Sequence, residues 1–343
     1  MAAEGEIMKR PLAGLLLISA AALARQQDGT LDVIVTPNSG VPVILLPGQS
    51  FDVVLTRRAD LHLANDGPGP ALAVEWYDMP GDRVQARCVM DPDAEPGEYA
   101  LEAVVDSGVD RNPRAVYIRR AYPDYYLVAH VTDPHIGSAR HVRDASDIFR
   151  DVIAATNESK AAFALITGDL TQDGTPEQLQ EFLRIMDGCT LPTFVCPGNH
   201  DRAALNYEQF FGPLAYMFCF GQDGYIAFDT KDYLPADELG AQDADLEVFR
   251  RDIKAARWSI GFTHRYEAIM GMRSQIVLFL DNPLDHLIFG HWHRANDDTE
   301  EAVPWGTTPI TVTPAAVDGM MRLFDVSAQG VKPRPPQRVA ALE

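Results

Sequence analysis

The chain has 343 residues, a mass of 37.8 kDa and 46% hydrophobic residues, enough to bury a sizeable core and to divide into two domains. Asp and Glu number 49 against 29 Lys and Arg, and the resulting formal charge of −20 repels a phosphate backbone along most of the surface, which excludes a nucleic-acid tracking groove. A polyanionic substrate is not excluded, because bound dications can dominate the local field.

At the N-terminus, Lys9 and Arg10 precede the apolar run Leu12 to Leu23, which closes on Ala22-Leu23-Ala24. This is the layout of a secretory signal peptide over residues 1–24, and it predicts cleavage after Ala24 and export to a periplasmic or extracellular space. A buried amphipathic helix is the alternative, disfavoured because the run has no polar face. The run is too short for a transmembrane helix, which needs about 20 apolar residues. No transmembrane segment is expected elsewhere, and the first 87 residues hold no Cys for lipid attachment.

From residue 30 to 121 short apolar runs (Leu31 to Val35, Phe51 to Leu55, Leu72 to Trp76, Val84 to Val89, Tyr99 to Val105, Ala115 to Ile118) alternate with Pro, Gly, Asp and Asn clusters. Strands at this spacing predict a small all-β sandwich of immunoglobulin-like size, with no chemical constellation in it. The four cysteines, Cys88, Cys189, Cys196 and Cys219, are irregularly spaced and form neither a zinc pattern nor a disulfide framework. Cys189 and Cys196 are read as small buried hydrophobes, with pairing left open.

After Tyr122-Pro123 the rhythm changes, and residues 124–327 read as an α/β layered domain. Strands are expected at Tyr126 to Thr132, Ala162 to Thr167, Thr193 to Cys196, Tyr225 to Asp229, Ser259 to Thr263 and His286 to Phe289, and helices at Val142 to Asn157, Pro176 to Met186 and Ala244 to Ala256. Thr175-Pro176 marks one helix start, hydroxyl as N-cap and proline at the first helical position. Residues 332–343 are proline-rich at first and lack periodicity, which predicts a mobile tail.

Five polar clusters fall at the carboxyl ends of the predicted strands: Asp133-Pro134-His135, Gly168-Asp169, Gly198-Asn199-His200-Asp201, Thr263-His264 and Gly290-His291-Trp292-His293. Open α/β sheets present ligands at such ends, and an i, i+2 pair at a strand end points both side chains one way. A lone Asp or His after a strand is ordinarily a cap or a structural residue. It is the sequence order and the two pairs, Asp133/His135 and His291/His293, that point to metal chemistry. Oxygen and imidazole donors suit Mn, Fe, Zn or Co, and a shared carboxylate would hold two ions about 3.5–4 Å apart.

The series D-x-H, G-D, G-N-H-D, H, G-H-x-H resembles the calcineurin-like metallophosphoesterase family over roughly Tyr126 to Val326. The resemblance implies an α/β fold, a layered β-sandwich flanked by helices, and two divalent or transition metal ions. It places Asp133, His135, Asp169 and His293 on one ion and Asp169, Asn199, His264 and His291 on the other. It makes His200 the group that contacts the phosphate or protonates the leaving oxygen, with Asp201 orienting its imidazole. The reaction so implied is hydrolysis of a phosphomonoester or phosphodiester, a small-molecule phosphate ester, by attack of a metal-bridging hydroxide. Purple acid phosphatases are similar and also carry a preceding β-domain, but place a tyrosine ligand where this chain has Gln172, so a tyrosinate-ligated ferric site is not expected. The alternative function is a binding or adhesion protein with a catalytically silent phosphoesterase domain. His130, His141 and His286 are read as structural, and Arg140, Arg202 and Tyr207 as surface residues, with the phosphate pocket as their other possible place.

Overall fold

The structure, a computed structural model, describes residues 29–343 except 66, 68, 80, 231–235, 267–271, 297–301 and 304–305, with backbone alone at 236–241 and 272. The signal segment expected at residues 1–24 lies outside the described residues. Among those described, no helix is long and apolar enough to cross a membrane.

Eight strands make the N-terminal part: β1 (Ile34–Thr36), β2 (Val43–Leu45), β3 (Ser50–Leu55), β4 (Asp60–Ala64), β5 (Leu72–Asp78), β6 (Val84–Met90), β7 (Gly97–Val105) and β8 (Gly108–Ile118). They form two four-stranded sheets, in the orders β1-β3-β6-β5 and β2-β8-β7-β4. Alternation along β3, whose Phe51, Val53 and Leu55 are buried, sends one face inward, where it meets Leu61, Leu101 and Ala103 of the other sheet in a single apolar core.

The second part runs β9 (Tyr126–Thr132), α1 (Ala145–Glu158), β10 (Phe163–Thr167), α2 (Pro176–Met186), β11 (Thr193–Cys196), α3 (Asn206–Phe211), β12 (Tyr216–Phe220), β13 (Asp223–Ala227), α4 (Ala236–Asp252), β14 (Ser259–Phe262), α5 (Met272–Phe279), β15 (His286–Phe289), β16 (Ile310–Val312), β17 (Met320–Ser327), β18 (Gly330–Pro333) and β19 (Gln337–Arg338). One sheet has the order β11-β10-β9-β17-β18, with β19 also on β17, and the other the order β12-β13-β14-β15-β16.

These strands are apolar on both faces because both faces are covered. In β9 and β10 the side chains of Tyr126, Val128, Phe163 and Leu165 meet the second sheet's Tyr225, Ala227, Ile260 and Phe262. Ala129, Val131, Ala164 and Ile166 point the other way, onto α1, α2 and α3. The outer face of the second sheet packs on α4 and α5 through Phe228, Leu246, Leu278 and Phe279. The result is helix, sheet, sheet, helix, with Phe163 at the centre among Tyr126, Phe194, Phe218, Phe220 and Tyr225, ring centroids 5.2 to 6.0 Å away.

The two parts are stitched through the edge strand β11 and through α3. Val195 N donates to Gly40 O (2.8 Å), Thr193 Oγ1 to Ser39 O (3.1 Å) and Asn38 Nδ2 to Phe211 O (3.0 Å). The buried Arg114 guanidinium donates to Leu191 O (2.8 Å).

Some expectations change. The mobile tail at 332–343 is instead ordered: β18 and β19 pair with β17, Ala340 is buried, and Arg143 N donates to Leu342 O (3.3 Å). These contacts are far apart in sequence, so the absence of local periodicity did not show them. All four cysteines are free, Cys88, Cys189 and Cys196 buried and Cys219 exposed. The helix expected from Ala244 begins at Ala236, where the sequence has no apolar stripe to announce it.

Candidate metal centre

The parallel strands β9, β10 and β11 of one sheet and β14 and β15 of the other end on the same side, and the clusters that follow them converge. Loop pairing locks them together. Asp133 N donates to Gly168 O (3.1 Å), His135 N to Asp169 O (2.9 Å) and Gly290 N to His264 O (2.9 Å), while Val317 N donates to Asp133 O (3.0 Å). Eight non-glycine residues among those described have positive φ, and five of them are Asp133, His135, Asp169, His291 and His293. Such backbone costs of order 1–3 kcal/mol each and persists where surrounding structure enforces it, commonly at functional sites.

Two glycines make the close approach possible. A Cβ on Gly198 would stand 2.0 Å from Asp169 N and 2.2 Å from Asp169 Oδ1, and one on Gly290 would stand 1.8 Å from Thr132 Oγ1. Any side chain at either place would push a ligand strand out of position.

Three clusters place ligand atoms within 4.8 Å of one another: Asp133, His135 and His293; His135, Asp169 and His200; Asp169, His264 and His291. Asp133 Oδ1 has His293 Nε2 at 3.2 Å, His135 Nε2 at 3.8 Å and His264 Nε2 at 4.0 Å. Asp169 Oδ2 has His264 Nε2 at 3.1 Å and His135 Nε2 at 3.6 Å. The His135 and His293 Nε2 atoms are 3.2 Å apart, and His264 Nε2 is 3.1 Å from His291 Nδ1.

The surroundings fit a cation-binding role. Asn199 Oδ1 is buried without a hydrogen-bond partner, an acceptor that a cation would satisfy. Burial opposes ionisation of Asp133 and Asp169, yet the neighbouring imidazoles, His264 foremost, hold both carboxyls below the ordinary range. Burial also opposes a proton on His264, but Asp169 and Asp133 outweigh it and push that imidazole up to about 9. His291, desolvated and beside His264, falls to about 4 and is neutral, the form that ligates metal. The orientation of His264 is set by its other nitrogen, Nδ1, 3.0 Å from Thr167 O, and that of Asp133 by the Thr132 hydroxyl, which donates to Oδ2 (2.7 Å).

His200 stands beside this group, its ring centroid 4.9 Å from that of His135. Its Nδ1 is 2.6 Å from Gln172 O, so Nδ1 carries the hydrogen and Nε2 is left to exchange a proton. Asp201, expected to orient that imidazole, does not. Its carboxylate is fully buried and accepts from the N–H groups of Gly198 (2.8 Å), Leu170 (3.0 Å) and Thr171 (3.0 Å) and from the Thr171 hydroxyl (2.9 Å). Burial, with Asp169 nearby, pushes its carboxyl up to about 6. Asp201 thus ties the loop bearing Asp169 to the loop bearing Asn199. Asp201→Ala is expected to strand these donors and to lower stability by at least about 2 kcal/mol in urea unfolding. Unchanged stability with altered leaving-group proton transfer would reverse the assignment.

The remaining candidates divide clearly. His130 is buried between Thr313 Oγ1 (2.6 Å) and Thr167 Oγ1 (2.8 Å), and His286 contacts Thr311 Oγ1 (2.9 Å), so both are satisfied core residues. His141 contacts Asp318 Oδ1 at 2.7 Å. Tyr207, read as a surface residue, is fully buried with its hydroxyl on Val195 O (3.1 Å), because α3 turns it into the core. Arg202 lies between Glu208 (3.3 Å) and Asp229 (3.9 Å). Arg140 is at the rim, its Nη1 3.4 Å from His293 Nδ1. Volume does not mark the site: a cavity of about 880 Å³ lined by Ile44, Phe51, Tyr122 and Phe218 lies where the two parts meet and holds none of these ligands.

Residues 126–295 match the model of the calcineurin-like phosphoesterase family. No curated protein sequence matches the chain significantly. Among solved structures, purple acid phosphatase PPD1 from yellow lupin (Lupinus luteus) seeds is 11% identical, with a TM-score of 0.46, covering 86% of this chain and 65% of its own. Protein TM1076 of Thermotoga maritima is 10% identical with a TM-score of 0.33, covering 62% of this chain and 99% of its own. The titin M10 and obscurin-like 1 Ig complex is 14% identical with a TM-score of 0.18, covering 26% of this chain and 90% of its own. Likenesses this loose carry no argument about function.

Proposed function

Because this chain belongs, through residues 126–295, to the calcineurin-like phosphoesterase family, we propose that it is an exported hydrolase of phosphomonoesters or phosphodiesters. The observation that carries the reading is the convergence of Asp133, His135, Asp169, His264, His291 and His293, with the unpartnered oxygen of Asn199, on one point at the strand ends. Export is supported by the residues Lys9 to Ala24 alone.

In this reading Asp133, His135, Asp169 and His293 hold one ion, and Asp169, Asn199, His264 and His291 the other. Bound transition-metal ions supply Lewis-acid neutralisation of the phosphoryl oxygens and activation of water near neutral pH. The chain's own task is to hold these groups before reaction, through loop pairing and the positive-φ residues, so that little reorganisation is left for the transition state. Water adds to phosphorus and releases one proton to solvent, the bond from phosphorus to the leaving oxygen breaks with its electron pair on that oxygen, and His200 delivers the proton the leaving oxygen needs, to be reprotonated from solvent. The Gln172 carbonyl on Nδ1 keeps the ring aimed, with Nε2 on the side left for proton transfer.

Elemental analysis beside hydrolysis of nitrophenyl phosphate and bis-nitrophenyl phosphate tests the reading. Two transition-metal ions per chain and turnover are expected for wild type, and for His291→Ala a loss of metal with a fall in rate of about a hundredfold or more. Metal-loaded protein that hydrolyses neither ester would overturn it. Sequencing the N-terminus of protein recovered outside the cytoplasm tests export, which fails if the Lys9 to Ala24 segment is retained on cytoplasmic protein.

A further inference from the structure

Trp292, between two candidate ligands in the chain, and Arg140, against His293, offer an aromatic ring and a guanidinium that the proposed metal chemistry does not use. Trp292 lies between His291 and His293 in the chain and is 38% exposed. Large aromatic side chains serving only the fold are mostly covered. Its ring is nonetheless held: the buried Phe289 at the end of β15 meets it edge-on, at 5.3 Å and 87°, and Trp292 N donates to Gly290 O (2.7 Å). The Arg294 guanidinium stands 5.7 Å from the indole centroid.

Against His293 lies Arg140. Its Nε donates to Asp318 Oδ1 (2.9 Å), and Nη1 lies 3.4 Å from His293 Nδ1, with the side chain 48% exposed. Asp318 is itself fixed: His141 Nε2 contacts it at 2.7 Å, and the adjacent Val317 N is bonded to the backbone of Asp133. Arg140 is thus a guanidinium held by Asp318 against His293, with half of its side chain open to solvent. Next to a candidate metal ligand, the Arg140 guanidinium offers an anion a hydrogen-bond donor of opposite charge.

We propose that Arg140 and Trp292 form a substrate subsite for a phosphoester whose leaving group is a flat aromatic ring. Arg140 binds a non-bridging phosphate oxygen, for which the planar guanidinium is suited. Trp292 receives the ring by stacking, which tolerates any flat π-face. The inference rests on the phosphoesterase reading and adds to it the chemical class of the leaving group. A nucleobase and a simple aryl group share that chemistry.

Equilibrium binding of non-hydrolysable phosphonates to the metal-loaded full chain, by calorimetry, tests the subsite without relying on turnover. The probes are benzylphosphonate, an adenosine methylenephosphonate and ethylphosphonate. Wild type is expected to bind one or both ring-bearing probes at least about tenfold more tightly than ethylphosphonate. Trp292→Ala is expected to lose that preference with ethylphosphonate affinity unchanged, Trp292→Phe to keep most of it, and Arg140→Gln to weaken all three alike. Preference for the adenosine probe alone identifies a nucleobase; preference for both ring-bearing probes identifies any aryl group. Equal affinities in wild type, a preference that survives Trp292→Ala, or a fall in ethylphosphonate affinity as large as that for the ring-bearing probes overturns the subsite. If the chain also hydrolyses phosphate esters, the subsite alone has failed. If it binds no phosphonate and hydrolyses no ester with both ions present, the phosphoesterase reading fails with it.

Discussion

Asp169→Asn is expected to lower the metal content from about two ions per chain to fewer than one and to cut phosphoester hydrolysis by about a thousandfold or more. The shape of the side chain is kept, and only its charge and its capacity to serve two ions are lost. In the structure Asp169 Oδ2 faces both His264 and His135, at 3.1 and 3.6 Å, while Oδ1 accepts from His200 N at 2.8 Å. One carboxylate therefore spans the two halves of the centre, and its neutralisation weakens both. The stability signature separates this account from a merely structural one. Each ion at a hundred times its Kd adds about 2.7 kcal/mol to the folded state. The variant should therefore melt well below metal-loaded wild type and gain little when metal is added, while lying below wild type stripped of metal only by what the Asp169–His264 contact contributes. Unchanged metal content in the variant would contradict the assignment of Asp169.

His200→Ala should behave in the opposite way: both ions retained, and a rate loss that depends on the leaving group. A histidine that protonates the leaving oxygen is worth about 10²–10⁴-fold for an alkoxide and little for a nitrophenolate, which departs without help. The comparison is thus between an alkyl phosphate and nitrophenyl phosphate on one protein preparation with metal measured. The geometry behind it is the 2.6 Å contact of Nδ1 with the Gln172 carbonyl and a ring nitrogen within 4.8 Å of ligand atoms of His135 and Asp169. Equal losses for the two leaving groups would show that His200 binds the phosphate and moves no proton.

The contrast between His200 and Asp201 shows how far residue types carry. They are neighbours in the chain, and the family resemblance pairs the acid with the imidazole. The backbone turns between them, so the Asp201 carboxylate meets two N–H groups of the facing loop and one of its own, while a main-chain carbonyl, at Gln172, takes the imidazole. A carbonyl is present at every residue, so no amino-acid pattern could have singled it out. Gln172 drew notice only as a residue that is not tyrosine. The C-terminal segment is similar in kind. Its strands gain partners on β17 through contacts that local periodicity does not encode.

By itself the sequence determined the helix Pro176–Met186 to the residue, through a threonine cap and a proline whose preferences are local. It also determined the run of apolar strands, since two covered faces demand them, and the order of the polar clusters at their ends. Only the tertiary structure decided which groups meet. Two sheets had to stack before His264 and His291 could face Asp169, which comes from a strand of the other sheet. The close loop packing had to impose positive φ on Asp133, His135, Asp169, His291 and His293 before their side chains could converge. Residues 178 apart, Arg140 and Asp318, had to come within 2.9 Å before a guanidinium was held against His293. The physical reason is the range of the forces: caps, turns and alternation act over a few residues, whereas a binding site is assembled by packing between elements that the chain separates widely.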